Sequence, residues 1–277
     1  GAIAKLTALR CVFFIMRLFR VLFPALAATA SVAVPTAHAG AFLQPPDHGQ
    51  VIAQLGFSEA GRGYDSLGRP VAIPAWRKFE LSTYVEYGLT EGVTLIGDPA
   101  WFSFRAKPPA TSRSRPGATE AGARAKIFEW DGGVVSAQAT ARYATGGGGS
   151  MAYVDMRSRA QADLRLLYGR AIEILGMTGY VDAQAGFRSR GAFGHQVRFD
   201  MTWALRPFAR TTLMLQSFSA VTPGRLGGRF ALSQKMQASA VYDLTDAWSL
   251  QIGAILALRG VNAAAERGVI GAAWWRF

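Results

Sequence analysis

Apolar and polar residues alternate along much of this chain with a period of two. In residues 196–205, Val197, Phe199, Met201, Trp203 and Leu205 form one set, and Gln196, Arg198, Asp200 and Thr202 form the other. Residues 161–168 set Ala162, Leu164, Leu166 and Tyr168 against Gln161, Asp163 and Arg165. Val135, Ala137, Ala139, Ala141 and Tyr143 alternate with Ser136, Gln138, Thr140 and Arg142, and residues 248–258 and 79–87 follow the same rule. Successive side chains of a strand point to opposite faces, so each segment is a strand with one apolar and one polar face. A soluble sandwich also alternates, but it does not turn Asp163, Arg165, Arg198 and Asp200 into a packed interior. A strand crossing lipid does the reverse, with apolar side chains toward the acyl chains and polar ones toward a lumen. Because lipid offers no partner to an open sheet edge, such strands must close. The pattern predicts an all-β chain folded as a transmembrane antiparallel up-and-down β-barrel.

The connections fall into two alternating groups. Turn chemistry marks residues 89–92, 130–133, 169–176, 206–210 and 244–246 as short links. Residues 58–76, 106–122, 145–157, 188–194, 220–228 and 260–267 read as longer loops. Five turns and six loops with both termini on one side give about 12 strands, within a range of 10–14. The weakest stretches are 93–104, interrupted by Pro99, and 124–130, each read as an edge-like or bent strand. Tyr87, Trp130, Tyr143, Tyr168, Trp203, Phe208, Tyr242 and Trp248 lie near strand ends, most on the side of the short turns, as an interfacial aromatic girdle would.

Residues 268–277 read Gly-Val-Ile-Gly-Ala-Ala-Trp-Trp-Arg-Phe, placing Trp275 and Phe277 on one face of a final strand. This segment resembles the closing strand of Gram-negative outer-membrane β-barrels. The resemblance implies the cell outer membrane as location, with its lipid and lipopolysaccharide as surroundings. It also implies the barrel assembly machinery as a partner that reads Trp275 and Phe277.

The other end agrees with export. Arg17 and Arg20 precede an apolar stretch over 21–34, and Ala37-His38-Ala39 before Gly40 is a small-x-small cleavage pattern. Residues 1–39 are expected to be a signal peptide, with Met16 as the true start and cleavage after Ala39, leaving residues 40–277 as the barrel. A retained membrane anchor is the rival reading, and Pro24 together with the Ala-x-Ala ending argues against it. No stretch after Gly40 supplies the roughly 20 apolar residues of a membrane helix. The single cysteine, Cys11, lies in the leader, so the expected mature chain has no thiol for disulfides, catalysis or zinc. The net charge is +12, and about +8 remains without Lys5, Arg10, Arg17 and Arg20. The charges are spaced along strands rather than clustered as phosphate-binding motifs, so nucleic acid is not expected as a partner.

Projected inward, the polar set gives a lumen lined by Arg124, Lys126, Arg142, Asp163, Arg165, Asp182, Arg198, Asp200, Lys235 and Arg259, together with Glu80, Glu86, Arg188 and Arg276. Basic residues prevail, and rings of Arg or Lys lower the barrier to anions. The strand number and Arg-rich lumen resemble those of small twelve-strand outer-membrane channels, which implies passive diffusion of small, anionic solutes. No substrate motif accompanies that likeness. The other reading of the same residues is an ion-pair network, Asp163 and Arg165 with Asp182 and Arg198 with Asp200, that fills a structural or adhesion barrel.

A lipid hydrolase is the competing class. The histidines after the leader are His48, read as solvated, and His195 at the rim, which hairpin pairing would bring near Ser217 or Ser219. No orienting Asn is evident, so the chain is not expected to be an enzyme. Gly146 to Gly149 before Ser150 lacks the ending of a phosphate loop. The basic, proline-bearing loop 106–122, with Lys107, Arg113 and Arg115, is read as solvated, with lipopolysaccharide contact or an inward constriction as its functional alternatives. No metal cluster or cofactor motif is present in the sequence.

Overall fold

The computed structural model describes residues 40–106, 113–116, 118–144, 160–190, 195–224 and 230–277. They form β1 (Gly49–Tyr64), β2 (Pro70–Thr90), β3 (Val93–Asp98), β4 (Ala100–Ala106), β5 (Arg113–Pro116), β6 (Ala118–Trp130), β7 (Gly133–Ala144) and β8 (Ala160–Ile174). The order continues through β9 (Met177–Ser189), β10 (His195–Phe208), β11 (Thr211–Thr222), β12 (Ala231–Asp243), β13 (Trp248–Val261), β14 (Ala263–Ala264) and β15 (Arg267–Arg276).

Every strand pairs antiparallel with its neighbours, and β1 pairs with both β2 and β15, so the sheet closes on itself. Fifteen segments make a twelve-strand barrel, because β3 with β4, β5 with β6, and β14 with β15 each occupy one position around it. Pro99 explains the first of these breaks. It lies opposite Thr83, between the pairs Val85↔Gly97 and Ser82↔Ala100, and it accepts from the Thr83 amide at 2.9 Å. Proline removes one donor without shifting the register, so residues 93–106 cross as one strand.

The outer wall carries the apolar parity: Leu55, Phe57, Phe79, Leu81, Leu164, Leu166, Leu250, Ile252 and Val269 are all exposed. In a soluble protein this much exposed apolar surface would aggregate, whereas around a barrel it is the lipid-facing band. Among the described residues no helix is long and apolar enough to cross a membrane. Trp130 stacks on Phe128 at 5.7 Å and meets Tyr168 at 5.8 Å, and Trp248, Trp275 and Phe277 form a second cluster at 6.1 and 4.8 Å. Both clusters lie at the short-turn end, which in such barrels faces the periplasm. Phe277 also exchanges two backbone hydrogen bonds with Gly49, tying the last residue to the first strand.

Three connections differ from the sequence reading. Residues 58–76, expected as a loop, are strand except for 65–69, where Asp65 Oδ1 accepts from the Leu67 and Arg69 amides. The alternation is lost there because Glu59, Arg62 and Arg77 take the place of apolar residues on the outer face, not because the strands end. Likewise β8 runs to Ile174, and the turn is only Leu175–Gly176, with φ of 53° and 75°. That pair of left-handed residues matches the twist of a tight hairpin. In loop 106–122, residues 113–116 and 118–122 are strand as well; residues 107–112 and 117, the expected signal peptide and the glycine run at 146–149 lie outside the described residues.

Candidate pore interior

The interior begins with a segment that belongs to no strand. Residues 40–48 enter the periplasmic half of the lumen and are held by polar residues from five strands. The Ala41 amide donates to Asp182 Oδ2 at 2.5 Å, and Ser136 Oγ donates to the Ala41 carbonyl at 2.8 Å. Arg124 Nη1 donates to the Phe42 carbonyl at 2.9 Å. The Gln44 amide donates to Thr94 Oγ1 and its Nε2 to Glu86 Oε2, both at 2.9 Å. The Asp47 amide donates to the Gly88 carbonyl, and the Gly88 amide to the His48 carbonyl, at 3.0 and 2.9 Å. An extended segment has no internal partners for its amides, so the wall must supply them. The Phe42 ring sits between two apolar patches of the inner wall, edge-on to Tyr180 at 6.4 Å and beside Val134 and Leu167. Gly88 and Gly169 make room: a Cβ on Gly88 would overlap the Pro45 carbonyl, and one on Gly169 would lie 2.7 Å from the Phe42 ring.

Arg124 is the hub of this region. It is 1% exposed and faces Glu86, 0% exposed, across 2.9 Å. It also donates to Gln138 Oε1 and to the Tyr84 hydroxyl, while Glu86 accepts from Gln50 at 2.7 Å and Tyr84 at 2.7 Å. A buried ion pair offsets its desolvation only when its other lone pairs and protons are satisfied, and here they are.

Toward the long-loop end the lumen carries a second layer of ion pairs. Asp163 receives Arg165 and Arg188, each at 2.7 Å, and Asp200 receives Arg165 at 3.1 Å and Arg198 at 3.3 Å. Arg188 also lies 3.5 Å from Glu120. Lys235 pairs with Glu266, which Lys78 approaches at 3.5 Å, and Lys126 pairs with Glu129 at 2.6 Å near the periplasmic mouth. Asp182 does not join Arg165 as the sequence reading had it. It takes the Ala41 amide and Gln184 Nε2 at 2.8 Å.

The wall from β10 to β15 differs in kind. Midway along it, between the charged layers, the inward residues are neutral amides and hydroxyls in two bonded groups: Gln237 Nε2 donates to Gln216 at 2.8 Å, while Gln251 Nε2 donates to Ser239 at 2.9 Å and Gln251 Oε1 accepts from Trp274 Nε1 at 3.0 Å. Between this wall and the N-terminal segment lies a cavity of about 720 Å³, bordered by Gln44, Gln50, Tyr180, Met214 and Trp274. At the periplasmic mouth it meets Arg206, Arg210 and Arg276 with Asp243 and Asp246, and Asp243 is shared by Arg206 and Arg276.

Of the residues projected inward from sequence, Arg259 is on the other face. A register shift between Gln234 and Lys235 leaves Leu258 and Arg259 together on the exposed side, so alternation counted from Gln251 and Ala257 fails there. A β-bulge adds one residue to one strand and reverses the parity beyond it. Arg142 lies opposite Glu120 on the inner face and is engaged. His195 lies against Phe187 with ring centroids 4.9 Å apart, whereas Ser219 pairs with Phe199 and Ser217 with Met201, four and six residues along the strand. The suggested histidine–serine pair is therefore not assembled. The N-terminal segment is the feature that sequence reasoning missed. Its signals were Phe42 and Leu43 ahead of Pro45-Pro46, and the bare inward positions Gly88 and Gly169.

No protein-family model and no curated protein matches the sequence. Solved structures do match in fold. An outer membrane channel of Pseudomonas putida F1 has a TM-score of 0.69 at 14% identity, over 87% of this chain and 100% of that one. The NanC porin has a TM-score of 0.53 at 9% identity, over 81% and 98%. The β domain of the Bordetella autotransporter BrkA has a TM-score of 0.50 at 14% identity, over 83% and 100%. At these identities the likeness establishes the fold: the chain folds as an outer-membrane β-barrel. Barrels of this shape serve several tasks, so the task must be argued from the interior.

Proposed function

We propose that this protein is an outer-membrane channel for passive diffusion of small solutes, with the N-terminal segment setting its aperture. The observation that carries the reading is the 720 Å³ cavity between that segment and the inner wall at the periplasmic end, where Tyr180, Met214 and Trp274 give way to Arg206, Asp243 and Arg276. A barrel serving only as a scaffold gains nothing from an unfilled space along one side, whereas a diffusing solute needs one, with charged groups at its mouth that exchange for its hydration shell. An anion preference fits the three arginines against two aspartates at the periplasmic mouth. It draws less support from the remaining lumen, where Arg124, Arg165, Arg188, Arg198 and Lys235 each face a carboxylate.

The filled periplasmic half favours a second reading, a plugged structural or adhesion barrel. One experiment separates the two: single-channel conductance of residues 40–277 in a planar bilayer under a salt gradient, beside a variant lacking residues 40–47. Discrete steps with an anion-selective reversal potential in the full segment support the channel. Silence from both folded proteins supports the plugged barrel. Steps in the shortened variant alone assign the segment as the barrier.

Removal of the leader after Ala39 belongs to the same proposal. Gly40 abuts the Asp182 carboxylate, with a φ of +123°, and Asp182 is 1% exposed. Cleavage at that bond gives Gly40 an α-ammonium beside a buried carboxylate and so adds an ion pair to the contacts that hold the segment.

A further inference from the structure

The outer wall carries a row of charges that the solute path does not use. Register places Arg267 of β15 opposite Glu59 of β1, Glu59 opposite Arg77 of β2, and Arg77 opposite Arg105 of β4. Four residues on four adjacent strands thus share one cross-strand row. They lie on the outer face, on the parity of the exposed Phe57, Phe79 and Val269, two residues farther toward the long-loop end. Arg77 and Arg267 are each 72% exposed along their side chains, and Arg105 is exposed as well. Glu59 lies between two of them, 2.8 Å from Arg267 and 3.5 Å from Arg77, and fixes their direction while leaving most of each guanidinium uncovered. On the next strand the bulge of β13 turns Arg259 to the same face, three residues beyond Leu256, the partner of Arg267.

We propose that this row is a binding site for the phosphate groups of an outer-leaflet glycolipid of the lipid A type. Two constraints select that partner. The wall below the row is apolar and faces acyl chains, so the charges stand where a lipid headgroup stands, and a soluble ligand would have to share that plane with lipid. The row is also net cationic, with planar guanidinium forks suited to bidentate phosphate contact. Charges of this kind facing hydrocarbon would be strongly unfavourable, so the row also marks the upper limit of the apolar band. The inference is independent of whether the lumen conducts.

The test uses the full protein refolded into phosphatidylcholine vesicles containing bisphosphorylated lipid A, then extracted into mild detergent and weighed intact with its retained lipid. The wild type is expected to keep lipid A and to lose it when the lipid has been enzymatically dephosphorylated. At about fivefold per basic residue near an anionic surface, R77Q/R105Q/R267Q is expected to weaken retention on the order of a hundredfold. Glu59→Gln removes the acid from the row and is expected to strengthen retention about fivefold, an opposite sign that misfolding would not produce. Equal retention by wild type and triple variant, equal retention of the dephosphorylated lipid, or weaker retention by Glu59→Gln would each overturn the proposal.

Discussion

Phe42→Ala isolates the N-terminal segment from the barrel that surrounds it, because Phe42 lies in no strand while its ring touches both apolar patches of the inner wall. Truncating a fully buried Phe costs about 3–5 kcal/mol. Phe42 keeps part of its surface exposed, so about half of that, ~2 kcal/mol, is the working figure. The loss falls almost wholly on the inserted state, since a withdrawn segment leaves Phe42 in water in either case. A difference of ~2 kcal/mol multiplies the withdrawn-to-inserted ratio by roughly 30. Single-channel recording reads this as an increase of that order in occupancy of the higher-conductance level, with the barrel's heat-modifiable migration unchanged. Gly169→Val presses on the same ring from the wall and should act in the same direction. If both variants fold and neither changes conductance or the protease sensitivity of the segment, Phe42 does not anchor a plug and the gating half of the proposal is wrong.

Arg124→Met should lower the barrel's unfolding midpoint, because Glu86 then remains buried without its cation at a cost of about 3–5 kcal/mol; adding Glu86→Gln should restore most of it, as followed by heat-modifiable gel migration. Extending the processed chain by a few residues ahead of Gly40, or Asp182→Asn, should each raise open-level occupancy, and the two together should do little more than either; full additivity in single-channel records would count against an ion pair between them. Neutralising Arg142, Arg165 and Arg198 together should move the reversal potential toward cations if the lumen is anion-leaning, and an unchanged potential in a conducting pore would end that reading. Deleting Phe277 removes its ring contact with Trp275 at 4.8 Å and both backbone bonds to Gly49; assembly yield in cells should fall while the refolded fraction in detergent changes less.

Period-two alternation made the barrel legible because lipid on one side and water or polar contacts on the other impose opposite chemistry on successive side chains. Residues 196–205 and 161–168 need no tertiary information to show this, and the alternation of short and long connections is enough for twelve strands. Local chemistry also marks Pro99 as an interruption. Only the register shows that Pro99 costs one donor and not a strand, since Thr83 lies directly opposite it. The same holds for Arg259, whose outward face follows from the bulge at Leu258, immediately before it, that alternation cannot see.

The interior was decided by contacts far apart in the chain. Asp182 reads as a pore-lining acid, yet its partner is the amide of Ala41, 141 residues earlier. Arg165 reads as fixed positive charge, yet besides Asp163 it meets Asp200, 35 residues later and two strands away. Periodicity reports which face a side chain takes, and that much the residue order determines by itself. What stands opposite it across a lumen depends on closure, register and the path of a segment with no periodicity of its own, and those belong to the tertiary structure.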